Sequence, residues 1–102
     1  MYLEIAQIEI KPGHEKEFEE AASGAVSVFQ KSRGCAGMEV RRSIENPSKY
    51  LLFVTWETMA DHTEHFKNSP DGLQAWRKAV SHLYAATPTL EHSKLAVTGF
   101  KK

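Results

Sequence analysis

The chain has 102 residues and a mass of 11.5 kDa, which fits one domain with one hydrophobic core and leaves no room for two. Its 13 basic and 13 acidic residues cancel, which argues against a nucleic-acid-binding protein because such proteins carry a basic excess. The single cysteine, Cys35, excludes an internal disulfide and any metal site built from several cysteines. No apolar run reaches the ~18–20 residues that span a membrane and no signal peptide is evident, so a cytoplasmic location is expected.

The first two predicted elements are a strand and a helix. Alternating apolar residues predict a strand over residues 2–10, and apolar side chains on both of its faces indicate that it is covered on both sides. Residues 15–31 are predicted to form one helix, because apolar residues recur there at three- and four-residue steps. The resulting apolar stripe contains Phe18, Ala22, Ala25 or Val26, and Phe29.

The next two elements are predicted to form a β-hairpin. Met38, Val40 and Ile44 alternate with polar residues, as is typical of a strand. A short turn around Pro47 then leads into residues 50–56, a run that is rich in β-branched and aromatic residues and apolar on both faces. A connection this short implies that the two strands are antiparallel.

A second helical region and a last strand complete the pattern. Thr58 and Asp61 have the spacing of a capping box, with aspartate in the glutamate position, and predict the start of a short helix. A longer amphipathic helix follows and ends before Pro88, because proline disfavours a helical conformation in the preceding residue. The last strand is predicted around Leu95 and Val97.

The predicted order β-α-β-β-α-β indicates an α+β fold of the ferredoxin-like type, an antiparallel sheet with helices on one face. The helices can cover only that face, whereas the third strand is apolar on both faces. A second copy of the sheet is the simplest cover for the remaining face. The sequence therefore predicts a homodimer.

Several short segments also have the order and spacing of a known family. They are residues 4–13 followed by Phe18, residues 34–39, and then Trp56-Glu57, His65-Phe66, Ser69 and Trp76. Together these segments resemble the antibiotic biosynthesis monooxygenase (ABM) domain over nearly the whole chain. The resemblance implies one ABM-like domain over residues 1–102 and a dimeric α/β barrel, in which two ferredoxin-like sheets pack face to face.

The resemblance implies a monooxygenase that uses no cofactor and acts on a small quinol- or anthrone-like aromatic molecule, with neither nucleic acid nor membrane as partner. The alternative is a non-catalytic or stress-related dimer that binds a ligand. Haem degradation is disfavoured because Ala6, Phe66, and Trp76 or Arg77 stand where haem-degrading members have asparagine, tryptophan and histidine. Isomerisation of a dione would need a phosphate-binding cluster, for which only Arg77 and Lys78 are available.

Two histidines are the candidate catalytic residues. His62 and His65 lie three apart on a predicted helix and are therefore expected on one face. A histidine titrates near neutral pH and suits removal of a proton from an acidic aromatic substrate. His65 is preferred because it matches the family position beside Phe66, although either histidine could be a packed or solvated side chain. The pair lacks a third ligand, so no metal is expected.

The aromatic residues predict a flat apolar cleft between the second helical region and the sheet. The candidate substrate-binding residues are Trp56, Phe66, Trp76, Tyr84, Tyr50 and Arg42. The aromatic members could equally form the core between helices and sheet. Arg42 could stabilise a phenolate or peroxide, or pair with a glutamate across the dimer. His82 could line the cleft or face solvent, and the pattern assigns no role to His14 or His92.

Overall fold

The alternating segments pair into one sheet. The computed structural model describes all 102 residues and has a sheet of four antiparallel strands in the order β2-β3-β1-β4. The strands are β1 (Tyr2–Glu9), β2 (Cys35–Arg42), β3 (Lys49–Trp56) and β4 (Thr89–Ser93). This confirms the predicted α+β, ferredoxin-like architecture.

The first helical segment is interrupted where one continuous helix was predicted. It consists of α1 (Glu15–Gly24) and α2 (Val26–Gln30), separated by Ala25, whose ψ of 6° lies outside the α-helical range. Gly24, which has a low helix propensity, directly precedes the break. The predicted apolar stripe is nevertheless buried against the sheet, with Phe18 and Phe29 at 0% and 1% exposure.

The capping box that was predicted after the hairpin is present. The Asp61 N–H donates to Thr58 Oγ1 over 3.1 Å, and the Thr58 N–H donates to Asp61 Oδ2 over 3.2 Å. The helical turn that follows is a π-helix over Asp61–Phe66. After a short turn the chain forms α3 (Leu73–Val80), which ends in a 3₁₀ turn over Ser81–Leu83.

The π-helix changes which side chains share a face. Its hydrogen bonds join residues five apart, so each turn holds more residues than an α-helical turn. His62 and Phe66, four apart, are therefore both buried, whereas His65 is exposed. The prediction that His62 and His65 lie on one face is wrong for this reason.

The last strand also differs from its prediction. β4 lies at Thr89–Ser93, whereas Leu95 and Val97 are 78% and 82% exposed and belong to no strand. The side chains of β4 are mostly polar, and the strand forms through backbone pairing with β1 rather than through burial of an apolar face. The second strand likewise ends before Ile44, which is 90% exposed.

The two faces of the sheet have different environments. The inner face of β1 and β3 packs on the helices and forms the core, with Ile8, Val54 and Trp56 at 0–1% exposure. The outer face of the same strands carries side chains that are only half-buried in the isolated chain; these are Leu3, Ile5, Leu51 and Phe53. No helix combines the length and the apolar composition that crossing a lipid bilayer requires.

Candidate functional site

The largest cavity has a volume of about 770 Å³ and lies over the inner face of β1 and β4. The helices leave the inner face of β4 uncovered, and Leu90 on that face is 52% exposed. The π-helix, α3 and the segment that follows α3 form the opposite side of the cavity. A cleft between the second helical region and the sheet is thus present, as the sequence predicted.

Aromatic and aliphatic side chains form most of the cavity wall. They are Ala6, Ile8, Phe29, Phe66, Leu73, Trp76, Tyr84, Ala85, Ala86 and Leu90. Phe29 packs against Phe66 and Trp76, with ring centroids 5.2 and 5.1 Å away, so these three rings form one continuous aromatic part of the wall. A volume and a wall of this kind suit a small, flat, apolar molecule.

A buried carboxyl group lies at the sheet end of this cavity. Glu4 is only 4% exposed, because it is in phase with the buried residues Ala6 and Ile8 on the inner face of β1. The indole Nε1–H of Trp56 donates to Glu4 Oε1 over 2.9 Å. His92 stands directly opposite Glu4 in the pairing of β1 with β4, so both side chains are directed to the same face.

His62 lies between these two groups and contacts both. Its Nε2 is 3.2 Å from Glu4 Oε1, and its Nδ1 is 2.7 Å from Nε2 of His92. Its imidazole is stacked on the indole of Trp56, which fixes the plane of the ring. Glu4, His62 and His92 therefore form one chain of polar contacts that begins in the core and ends at the cavity wall, in which the two imidazoles are hydrogen-bonded and His62 lies 3.2 Å from the carboxyl group of Glu4. We call it the Glu4–His62–His92 chain.

Burial decides the protonation of this chain. Burial raises the pKa of Glu4 from its ordinary 4.5 to about 7, although the bond from Trp56 opposes that rise. Burial also lowers the pKa of His62 from 6.5 to about 4, and the charges of His92 and Lys67 lower it further. Because burial disfavours both charges, the 3.2 Å contact is not a full ion pair at neutral pH; the imidazole of His62 is neutral, and Glu4 is close to its midpoint.

A neutral His62 has one N–H, and this leaves two arrangements of protons in the chain. When Glu4 is ionised, the proton of His62 is on Nε2, the nitrogen 3.2 Å from Glu4, and His92 Nε2–H donates to His62 Nδ1. When Glu4 is protonated, the proton of His62 is on Nδ1, and the bond between the two imidazoles reverses its direction. A proton taken up at the free Nδ1 of His92 can therefore reach Glu4 by passing along the chain, without a charged His62 as a stable state.

The residues that the sequence singled out lie in three different places. Phe66, Trp76, Tyr84 and His62 line the cavity, and Trp56 lies directly behind His62.

His65 lies in a separate hollow together with Arg33 and Ser69. This position differs from the expectation that His65 reaches into the cleft, and it follows from the π-helical turn. His82 is exposed, 3.8 Å from Glu17, and does not line the cavity.

Tyr50 and Arg42 lie at a third hollow, beside Glu19 on α1. The hydroxyl of Tyr50 donates to Glu19 Oε2, and the Arg42 guanidinium lies 3.3 Å from the same oxygen. Arg42 Nε also donates to the carbonyl of Pro47. Arg42 thus has an acidic partner within its own chain, whereas the sequence left open a partner across the dimer.

Glu4 and His92 were missed by the sequence analysis. A signal for Glu4 existed, since a charged residue in phase with Ala6, Ile8 and Ile10 on a buried strand face has to be paired or neutralised. No comparable signal existed for His92, because the last strand was placed too late in the chain.

The three groups of the chain do not converge on one point. His62 directs one ring nitrogen to Glu4 and the other to His92, so no single cation could be bound by all three. No group of three or more histidine, cysteine, aspartate or glutamate side chains is arranged to ligate a metal ion.

Comparison with known proteins identifies the family of this fold and cavity. The family model for antibiotic biosynthesis monooxygenases matches residues 1–86. The chain belongs to that family. Uncharacterized protein YczJ of Bacillus subtilis is 38% identical over 92 residues, which are 90% of this chain and 96% of YczJ.

Solved structures of ABM proteins share the fold. A crystal structure assigned to the family, from Bordetella bronchiseptica, is 40% identical with a TM-score of 0.90, covering 94% of this chain and 97% of that one. A structure from Nitrosomonas europaea has a TM-score of 0.78 at 18% identity, covering 95% of this chain and 100% of that one, and shows likeness of fold alone.

Proposed function

We propose that this ABM protein catalyses the oxygenation of an acidic, quinol- or anthrone-like aromatic molecule by O₂, with no flavin, haem or metal. The observation that carries the proposal is the Glu4–His62–His92 chain at the wall of an apolar cavity. Oxygenation without a cofactor requires the substrate itself to supply electrons, and it can do so only after it has lost a proton. A site for this reaction therefore needs a base, a way to store the proton and a dry pocket.

The proposed base is His92, which is half-buried and lines the cavity. Its Nδ1 accepts the substrate proton, while its Nε2–H passes to His62 Nδ1 and the His62 Nε2–H passes to Glu4. Glu4 is a suitable final acceptor because its pKa of about 7 lets it gain and release a proton near neutral pH. His62 conducts the proton without keeping it, because its pKa is about 4.

The oxygen step follows from the anion. The substrate anion gives one electron to O₂, and the resulting radical and superoxide combine at carbon to form a peroxide. The peroxide takes back the proton that Glu4 held and loses water. For an anthrone the net change is CH₂ + O₂ → C=O + H₂O; the substrate loses four electrons and O₂ gains four, so the protein ends unchanged.

The proposed working unit is a homodimer that is joined through the outer face of the sheet. That face carries Leu3, Ile5, Leu51 and Phe53, which are half-buried in the isolated chain. An apolar surface at the centre of a sheet is stabilised when a second sheet covers it. The isologous pairing of identical faces is the simplest arrangement that provides such cover.

The experiment is oxygen uptake with a panel of reduced quinols and anthrones under metal-free conditions. We expect uptake with at least one of them, and a turnover lower by ~10²–10⁴-fold in His92→Gln, His62→Gln and Glu4→Gln. Oxygen uptake that needs an added metal or flavin, or that survives in all three variants, would contradict the proposal. No uptake with any substrate, together with binding of the oxidised products, would favour a binding protein without chemistry.

His65→Ala is the matched control, and it also tests the base that the sequence favoured. Because His65 lies outside the cavity, we expect the turnover of this variant to stay within about twofold of the unchanged protein. A large loss in His65→Ala with no loss in His92→Gln would instead assign the base to His65.

A further inference from the structure

The charges that line the cavity are unevenly distributed. Besides its histidines, the wall carries the cations Lys67 and Arg77, and its only acidic side chain is Glu4. Glu4 is turned into the core, where it accepts a hydrogen bond from Trp56 and lies 3.2 Å from His62. The accessible part of the wall is therefore cationic, although the whole chain has no net charge.

Arg77 has no acidic partner in the chain. The other three arginines do: Arg33, Arg41 and Arg42 lie 3.5, 3.4 and 3.3 Å from a carboxylate oxygen. Lys67 makes neither an ion pair nor a side-chain hydrogen bond. Both side chains are exposed, so each is free to bind an anion that enters the cavity, and a guanidinium binds a carboxylate best.

The two cations act on different parts of the cavity. Lys67 follows His62 by one π-helical turn, since its N–H donates to the His62 carbonyl, and its charge contributes to the lowered pKa of His62. Arg77 lies on α3, and its charge acts on Tyr84. Lys67 thus lies at the end of the cavity that contains the Glu4–His62–His92 chain, where the proposed reaction takes place. Arg77 lies beside Tyr84.

We propose that the ligand of this cavity is an aromatic carboxylic acid, whose carboxylate binds Arg77 while its acidic ring edge faces His92. A planar guanidinium forms two parallel hydrogen bonds with a carboxylate, and this fixes the orientation of a flat ligand against the apolar wall that contains Phe66 and Trp76. Lys67 then stabilises the second negative charge, which appears when the ring edge loses its proton. The assignment of the reacting edge rests on the proposed function; the carboxylate site does not.

The test compares two ligands of the same ring system, one with and one without a negative charge. The ligands are anthraquinone-2-carboxylate and its uncharged 2-hydroxymethyl analogue, and their dissociation constants are measured by calorimetry at low and at physiological salt. We expect the carboxylate to bind about tenfold or more tightly than the analogue, with a preference that weakens as salt is added. Equal affinities, or binding of neither ligand at millimolar concentration, would overturn the inference.

Three variants locate the site. Arg77→Gln should lose the carboxylate preference, and Arg77→Lys should keep part of it, since a lysine retains charge but not the paired geometry. Lys78→Gln is the matched control, because Lys78 is exposed on the same helix and does not line the cavity. If Lys78→Gln weakens carboxylate binding as much as Arg77→Gln, the effect is one of general charge and the site is refuted.

This binding experiment is independent of turnover. A carboxylate preference without oxygen uptake would support the ligand class and contradict the proposed reaction. Oxygen uptake that is equally fast with charged and uncharged anthrones would support the reaction and overturn the ligand class.

Discussion

His62 lies flat on Trp56, with ring centroids 5.2 Å apart and ring planes 8° from parallel. Trp56 also donates its indole N–H to Glu4, so one residue orients both neighbouring members of the Glu4–His62–His92 chain. Stacking opposes tilting of the imidazole away from the indole plane, and in this orientation Nε2 lies 3.2 Å from Glu4 and Nδ1 2.7 Å from His92. The three side chains are therefore held close together before any ligand binds.

The pH dependence of stability should reveal the two shifted groups separately. Because the pKa of Glu4 is raised to about 7, its contribution to the free energy of unfolding is greatest below pH 4.5 and is lost as the pH rises through about 7. Because the pKa of His62 is lowered to about 4, its contribution is present above pH 6.5 and is lost as the pH falls through about 4. The two effects oppose one another between pH 4.5 and 6.5.

Single substitutions should expose each effect. Relative to the unchanged protein, Glu4→Gln should gain stability as the pH rises from 4.5 to 7, and His62→Gln should gain stability as the pH falls from 6.5 to 4. Each change is at most about 3–4 kcal/mol. Urea denaturation across this pH range measures both, and three parallel stability curves would show that neither group is shifted.

Gly34 should not tolerate a side chain. Its φ is +74°, and an added Cβ would lie 2.0 Å from Asp61 Oδ2, within the capping box at the start of the π-helix. We expect Gly34→Ala to lower the free energy of unfolding by more than about 1 kcal/mol, because Asp61 has to move and the backbone is strained. Gly24→Ala is the control, since nothing lies within 4 Å of its added Cβ. Thermal denaturation compares the two, and equal melting temperatures would contradict the prediction.

A charge on the outer face of the sheet should dissociate the proposed homodimer. Phe53→Glu and Leu51→Glu would each bury an unpaired carboxylate in the interface, which is strongly unfavourable. Size-exclusion chromatography with light scattering should give a dimer for the unchanged protein at micromolar concentration and monomers for both variants. Ile44→Glu is the control, because Ile44 is 90% exposed and should leave the dimer intact. An unchanged protein that elutes as a monomer would refute the dimer.

Local patterns in the sequence determined the order of the elements and most of the core. The period-two alternation predicted β1 and β3. The stripe that includes Phe18 and Phe29 indicated the buried side of the first helical segment. The spacing of Thr58 and Asp61 predicted where the second helical region begins. These features depend on neighbours within a few residues of the chain, so their physical cause is visible in the sequence.

The candidate site depended on tertiary structure. Its members come from β1, the π-helix and β4, and Glu4 and His92 both reach His62 because the strand register places them opposite each other. The sequence pattern does not specify that register, since β4 is mostly polar and exposed. The π-helical turn, which no spacing rule revealed, buried His62 and left His65 outside the cavity. Burial then shifted the pKa values of Glu4 and His62, because desolvation exists only after the chain has folded around them.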